Sequence, residues 1–194
     1  MHNSNREFWK YCESKYKSYF HGQKKVLEVG SFNVNGTVRE HFQALEYIGV
    51  DWRPGATVDV VTLAHEMSFD HKFDVVISAS MLEHDRHWDK SISQMVNHLA
   101  DDGVLFLSWG AALNPPHCLE TADDGGFHCL PAGKVIGLLE DLGIYIHEFH
   151  YEGLQFPNSS RPSDMGEVCL VAFKDKAYAI GSSHIDELIP EDRA

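Results

Sequence analysis

The sequence predicts a doubly wound α/β sheet, and three observations predict it. Strand-like runs alternate with helical ones, several of the strands are apolar almost throughout, and a glycine-bounded turn follows the first. The runs "KKVLEVG" (24–30), "FDVVISA" (73–79) and "GVLFLSW" (103–109) carry the mark of strands covered on both faces. Further strands are expected at 46–51, 57–62, 143–151 and 167–174, making seven. Helical patterning falls at 37–45, 89–99 and 132–142. In the second of these, Ile92, Met95, Val96 and Leu99 are spaced for one buried stripe.

Alternation of this kind makes the strands parallel. The last two break the rule. Between them lies "EGLQFPNSSRPSDMG" (152–166), rich in turn formers and without helical periodicity. Two strands joined without a crossover helix must pair antiparallel. The expectation is therefore six parallel strands with an antiparallel final hairpin strand. Residues 5–20 are expected to add an N-terminal helix, and the acidic tail at 176–194 is expected to be mobile. No repeat marks a second unit, so 1–194 reads as a single domain.

Hydrophobic residues make up 43% and charged ones 23%, which is ordinary for a globular chain with a substantial core. Sixteen basic residues against twenty-nine acidic ones leave a net charge of −13. A field of that sign repels phosphate backbones, which works against nucleic acid and favours a small or neutral substrate. No apolar run reaches the length of a membrane span. The stretch "MHNSNREFWKYCESKYKSYF" lacks the apolar core of a signal peptide, so a cytoplasmic location is expected. Cys12, Cys118, Cys129 and Cys169 form no CxxC pair and are expected to be reduced thiols.

The stretch "VLEVGSFNVNGTVREHF" (26–42) runs from buried strand through a glycine turn into helical pattern. A dinucleotide turn reads G-x-G-x-x-G, with its second glycine placed so that backbone can meet a pyrophosphate. Counted from Gly30, that position is Phe32 and the third is Asn35, which disfavours NAD and a nicotinamide oxidoreductase. A phosphate-binding Walker loop fails too, because "PAGKV" around Lys134 lacks the preceding spacing. Two acids remain. Glu28 stands just before Gly30, and Asp51 ends the second strand 21 residues after it, where a ribose diol is gripped. A ribose-bearing ligand is expected, on a turn not built for pyrophosphate.

"VLEVGSFNVNG", "YIGVDWRPGATVDVV", "FDVVISASMLEH" and "LADDGVLFLSW" together resemble the successive motifs of class I S-adenosylmethionine-dependent methyltransferases. The resemblance covers residues 24–110 in motif detail, and strand order extends it to Lys174. It implies a Rossmann-like seven-stranded sheet with S-adenosylmethionine as cofactor. On these motifs, Gly30 and Ser31 lie along the methionine end of the cofactor, with Glu28 near its ammonium. Asp51 takes the ribose hydroxyls, and Trp52 packs on adenine. Ala64 and His65 reach the adenine edge, while Ser80 and Met81 sit beneath the sulfonium. The chain departs from the family at Phe32 and Asn33, where many relatives keep glycine. It departs again at Leu63, where an Asp often binds the adenine amino group.

The resemblance implies methyl transfer to a small molecule or sugar hydroxyl by in-line displacement, in which alignment does most of the work. Two segments face the acceptor side. They are "MLEHDRHW" (81–88) and the long connection "GAALNPPHCLETADDGGFHCLP" (110–131), placed as a substrate lid. His84, His87, His117 and His128 are the groups there that titrate near neutral pH. His117, His128 and His84 are the candidates for catalysis. The pairs His117–Cys118 and His128–Cys129 suggest zinc. However, adjacent residues on a strand point to opposite faces and the spacing fits no standard site, so no metal is expected. The alternative to an enzyme is a non-catalytic S-adenosylmethionine- or S-adenosylhomocysteine-binding module or partner subunit.

Overall fold

The computed structural model describes residues 3–110, 130–151 and 167–178. Seven strands form one sheet: β1 (Lys25–Val29), β2 (Glu46–Asp51), β3 (Val60–Val61), β4 (Phe73–Ala79), β5 (Leu99–Gly110), β6 (Tyr145–Tyr151) and β7 (Glu167–Phe173). Their order is β3-β2-β1-β4-β5-β7-β6. β7 runs antiparallel to both β5 and β6, and the other pairings are parallel. This is the expected sheet of six parallel strands and one antiparallel hairpin strand.

Helices α3 (Trp88–His98) and α4 (Ala132–Asp141) cover one face. Their Ile92, Met95, Val135 and Leu139 pack with Leu27, Val29, Leu105 and Leu107 of the sheet. The stripe expected on α3 is buried there. The opposite face is covered from the N-terminal side, by α1 (Asn3–Lys15) and the single-turn α2 (Lys17–Phe20). Phe8, Trp9, Cys12 and Phe20 pack on Val26, Val75, Ile77, Phe106, Val171 and Phe173. Cys12 and Cys169 are buried and free. Among the described residues no helix is long and apolar enough to cross a membrane.

The helix expected at 37–45 does not form. The connection from β1 to β2 holds only a 3-10 turn, Arg39–His41. The physical reason is occupancy: the layer a crossover helix would fill is already held by α1 and α2. Phe42 stacks on Phe20 with ring centroids 4.2 Å apart, and Val38 is buried in the same cluster. A nine-residue helix is marginal alone and needs a face to bury. Arg39 instead lays its guanidinium over the Tyr47 ring and pairs with Asp59 at 2.9 Å. The strand expected at 57–62 is likewise cut to Val60–Val61, a short edge strand with only β2 for a neighbour.

Candidate functional site

The strand order reverses between β1 and β4. In open α/β sheets a crevice forms at such a point, outside the carboxyl ends of the strands. Here a cavity of about 640 Å³ lies there. It is lined by Glu28, Gly30 and Ser31 after β1, by Asp51 and Trp52 at the end of β2, and by Ala64 and His65 after β3. Ser80, Met81 and His84 after β4 complete the wall. The residues singled out from the sequence for cofactor binding thus share one cavity, and His84 joins them. His117 and His128 lie outside the described residues, as do Cys118 and Cys129.

The turn after β1 is held from within. Gly30 and Ser31 donate their backbone N–H groups to the Val50 carbonyl at 2.8 and 3.0 Å. The Phe32 amide donates to Asp51 Oδ2 at 3.1 Å, and the Asn33 amide to Thr57 Oγ1 at 3.2 Å. Four successive donors are consumed, so this turn offers no nest of N–H groups to a pyrophosphate. That is the structural counterpart of the missing glycines. Phe32 does not block the turn, because its ring lies under the Arg53 guanidinium, 3.8 Å from the ring centre, against the loop at Gly55.

Burial shapes the charges. Glu28 is almost wholly enclosed and accepts a hydrogen bond from Tyr47 Oη at 2.8 Å. Desolvation raises its pKa to about 7, against the pull of Tyr47 and Arg39. Desolvation also raises Asp51, partly offset by the amides of Arg53 and Phe32 that its two oxygens accept. Trp52 is different: the residue is 42% exposed at the cavity mouth, with the Arg53 guanidinium 5.5 Å from its ring centre. The Ser31 hydroxyl is buried in the wall and has no hydrogen-bond partner among the described residues. His65 and His87 face one another with ring centres 4.4 Å apart, both on the wall.

A second acidic centre lies at the same edge of the sheet, outside the cavity wall. Glu83 is buried and accepts from the Gly110 amide at 3.0 Å, and Glu167 starts β7 directly opposite Gly110. Desolvation raises Glu83 to about 7. Desolvation and the Glu83 charge raise Glu167 to about 8. These acids hold protons in the fold that the unfolded chain releases from about pH 4.5. Their contribution to stability is thus fully present below that pH and is lost as pH rises towards 8. The thermal midpoint is expected to fall between pH 5 and pH 8, by an amount corresponding to a few kcal/mol. Glu83→Gln keeps the acceptor for Gly110 and should flatten the fall. Scanning calorimetry at several pH values checks this, and an equal slope in the variant would refute it.

Sequence reasoning missed Tyr47, Arg53, Glu83 and Glu167. Tyr47 and Arg53 carry a faint signal, since each sits beside an expected strand end. The two glutamates carry none, because their proximity depends on how β5 registers with β7.

No family model matches the chain, and no curated protein does. Solved structures match its fold. The 1,6-didemethyltoxoflavin-N1-methyltransferase of Burkholderia thailandensis, with 1,6-didemethyltoxoflavin and S-adenosylhomocysteine bound, matches with a TM-score of 0.64. Identity is 12%, over 88% of this chain and 78% of that one. The N-methyltransferase NodS of Bradyrhizobium japonicum, in complex with S-adenosylhomocysteine, matches at 0.59 with 17% identity, over 87% of this chain and 85% of NodS. The [4+2]-cyclase SpnF matches at 0.62 with 15% identity, over 91% and 82%. The chain has the class I methyltransferase fold.

Proposed function

We propose that this chain is an S-adenosylmethionine-dependent methyltransferase acting on a small molecule or a sugar hydroxyl, and that it works in the cytoplasm. One observation carries the reading: a single cavity at the switch point gathers the acid before the turn, the turn itself and the acid 21 residues on. The residues present fit the cofactor. Asp51 stands where ribose hydroxyls can donate, and the part-exposed Trp52 side chain offers adenine an apolar surface. The unpartnered Ser31 hydroxyl and the Glu28 carboxyl provide polar contacts for an amino-acid end.

Bound there, S-adenosylmethionine supplies an activated methyl group. The protein's own contribution is alignment and exclusion of water. With its pKa near 7, Glu28 is partly protonated at neutral pH, and a cation beside it would favour the carboxylate. A hydroxyl acceptor needs its proton removed, and His84, His117 and His128 are the bases proposed for that step. An amine acceptor with a free lone pair needs none of them.

The test is release of S-adenosylhomocysteine across a panel of metabolites and glycans. Turnover on a hydroxyl acceptor should fall roughly 10²–10⁴-fold when the acting histidine becomes Ala, with cofactor affinity kept. Wild-type turnover in His84→Ala, His117→Ala and His128→Ala alike would leave catalysis to alignment. Tight S-adenosylhomocysteine binding without transfer to any acceptor would make the chain a binding module instead.

A further inference from the structure

Helix α1 reaches the cavity wall from behind, through one buried side chain. Asn5 is fully enclosed, and three polar groups meet on its amide. Trp9 Nε1 and Ser108 Oγ both point at Asn5 Oδ1, the latter at 3.2 Å. An indole N–H can only donate, so the oxygen of the amide must face Trp9 and the nitrogen must face the other way. That nitrogen, Nδ2, donates to Ser80 Oγ at 2.7 Å. The neighbouring Arg6 donates to the carbonyl of Asn35, also a cavity residue, at 2.9 Å. The first turn of α1 therefore grips the wall on both sides of the switch point.

Ser80 is where such a grip has work to do. Its φ is +52°, a left-handed conformation that side chains other than glycine, Asn and Asp seldom adopt. The chain must turn there, because β4 ends at Ala79 and Met81 has to fold back against Gly30. Strained conformations persist only where surrounding contacts over-determine them. The Ser80 amide donates to the Ser108 carbonyl at 2.8 Å, which holds the backbone, and Asn5 holds the side chain. Because Nδ2 points at the serine oxygen, the hydroxyl proton of Ser80 is left to face another acceptor.

We infer that Asn5 is a positioning residue for the ligand site: acting through Ser80, it holds the strained 79–81 turn in its binding conformation and orients the Ser80 hydroxyl towards the cavity. The inference rests on the reading of the cavity as an S-adenosylmethionine site. It makes the N-terminal helix part of the binding apparatus although none of its residues lines the cavity.

The experiment is a double-mutant cycle on the full chain with Asn5→Ala, Ser80→Gly and the pair, read by calorimetric titration of S-adenosylhomocysteine and by thermal unfolding. Asn5→Ala should weaken binding roughly tenfold. Glycine accepts the left-handed turn without an anchor, so in the Ser80→Gly background Asn5→Ala should change affinity less than about twofold. The thermal midpoint should drop in both backgrounds, since Trp9 and Ser108 lose their acceptor either way. Affinity rescued while stability is not rescued is the signature of a positioning role. An equal affinity loss in both backgrounds, or none in either, overturns the inference. Should the wild type bind no S-adenosylhomocysteine, the reading of the cavity fails, and hydrogen exchange of the Ser80 amide then decides on the anchor alone. Faster exchange in Asn5→Ala supports it, and unchanged exchange overturns it.

Discussion

Asp51→Ala is expected to weaken S-adenosylhomocysteine binding by at least about tenfold, the equivalent of roughly 1.5–3 kcal/mol for a lost charge-assisted hydrogen bond. The structure gives this residue a second task. Its oxygens accept the Phe32 amide at 3.1 Å and the Arg53 amide at 3.2 Å, so the carboxylate ties the turn after β1 to the loop after β2. Alanine removes the ligand contact and frees both loops, each left with an unpaired amide. Asp51→Asn separates the two effects, because its amide oxygen still accepts one backbone N–H while the charge is gone. Calorimetric titration of the folded variants measures the loss. Unchanged affinity in Asp51→Ala would show that the end of β2 does not touch the ligand.

Gly30→Val should do more, abolishing measurable binding with a loss beyond about a hundredfold and lowering stability by several kcal/mol. The reason is partly local: φ at Gly30 is +86°, and a β-branched residue is the worst choice for that region. The rest is contact. A Cβ at this position would stand 2.5 Å from both Cβ and Cγ of Met81, so the strand ends of β1 and β4 would be pushed apart at the centre of the cavity. Gly30→Ala shares the strain with a smaller group. Combining it with Met81→Ala should recover part of the loss, as relief of a direct clash. A folded Gly30→Val with wild-type affinity would move the ligand away from this turn.

How far the fold could be read in advance depended on which force dictated each element. Strands β1, β4 and β5 are buried on both faces, and their unbroken apolar runs announce it. The hairpin of β6 and β7 followed from the lack of helical periodicity in the sequence between them, a matter of chain connectivity. The segment 37–45 has helical pattern yet stays irregular, because α1 and α2 reached its layer first. No local signal in "GTVREHFQAL" records that competition. The cavity was legible for a related reason. Residues at the carboxyl ends of parallel strands must converge at the switch point, so Glu28, Asp51 and Ser80 could be placed by counting. Asn5 could not, because it approaches from a helix whose docking depends on the whole sheet face.

That docking has a consequence for how the chain acquires its fold. α1 and α2 precede all seven strands in the chain, yet Phe8, Trp9 and Cys12 share their cluster with Val171 and Phe173 of β7, the last of the seven. In a βαβ unit a crossover helix meets its strands within a few dozen residues of synthesis. Here the cluster around α1 draws on early strands but is completed only by β7. Contacts of such long sequence separation form late and leave sticky surface uncovered meanwhile. The arrangement that frees the β1–β2 connection from carrying a helix thus turns the N-terminal segment into the closing piece of the fold.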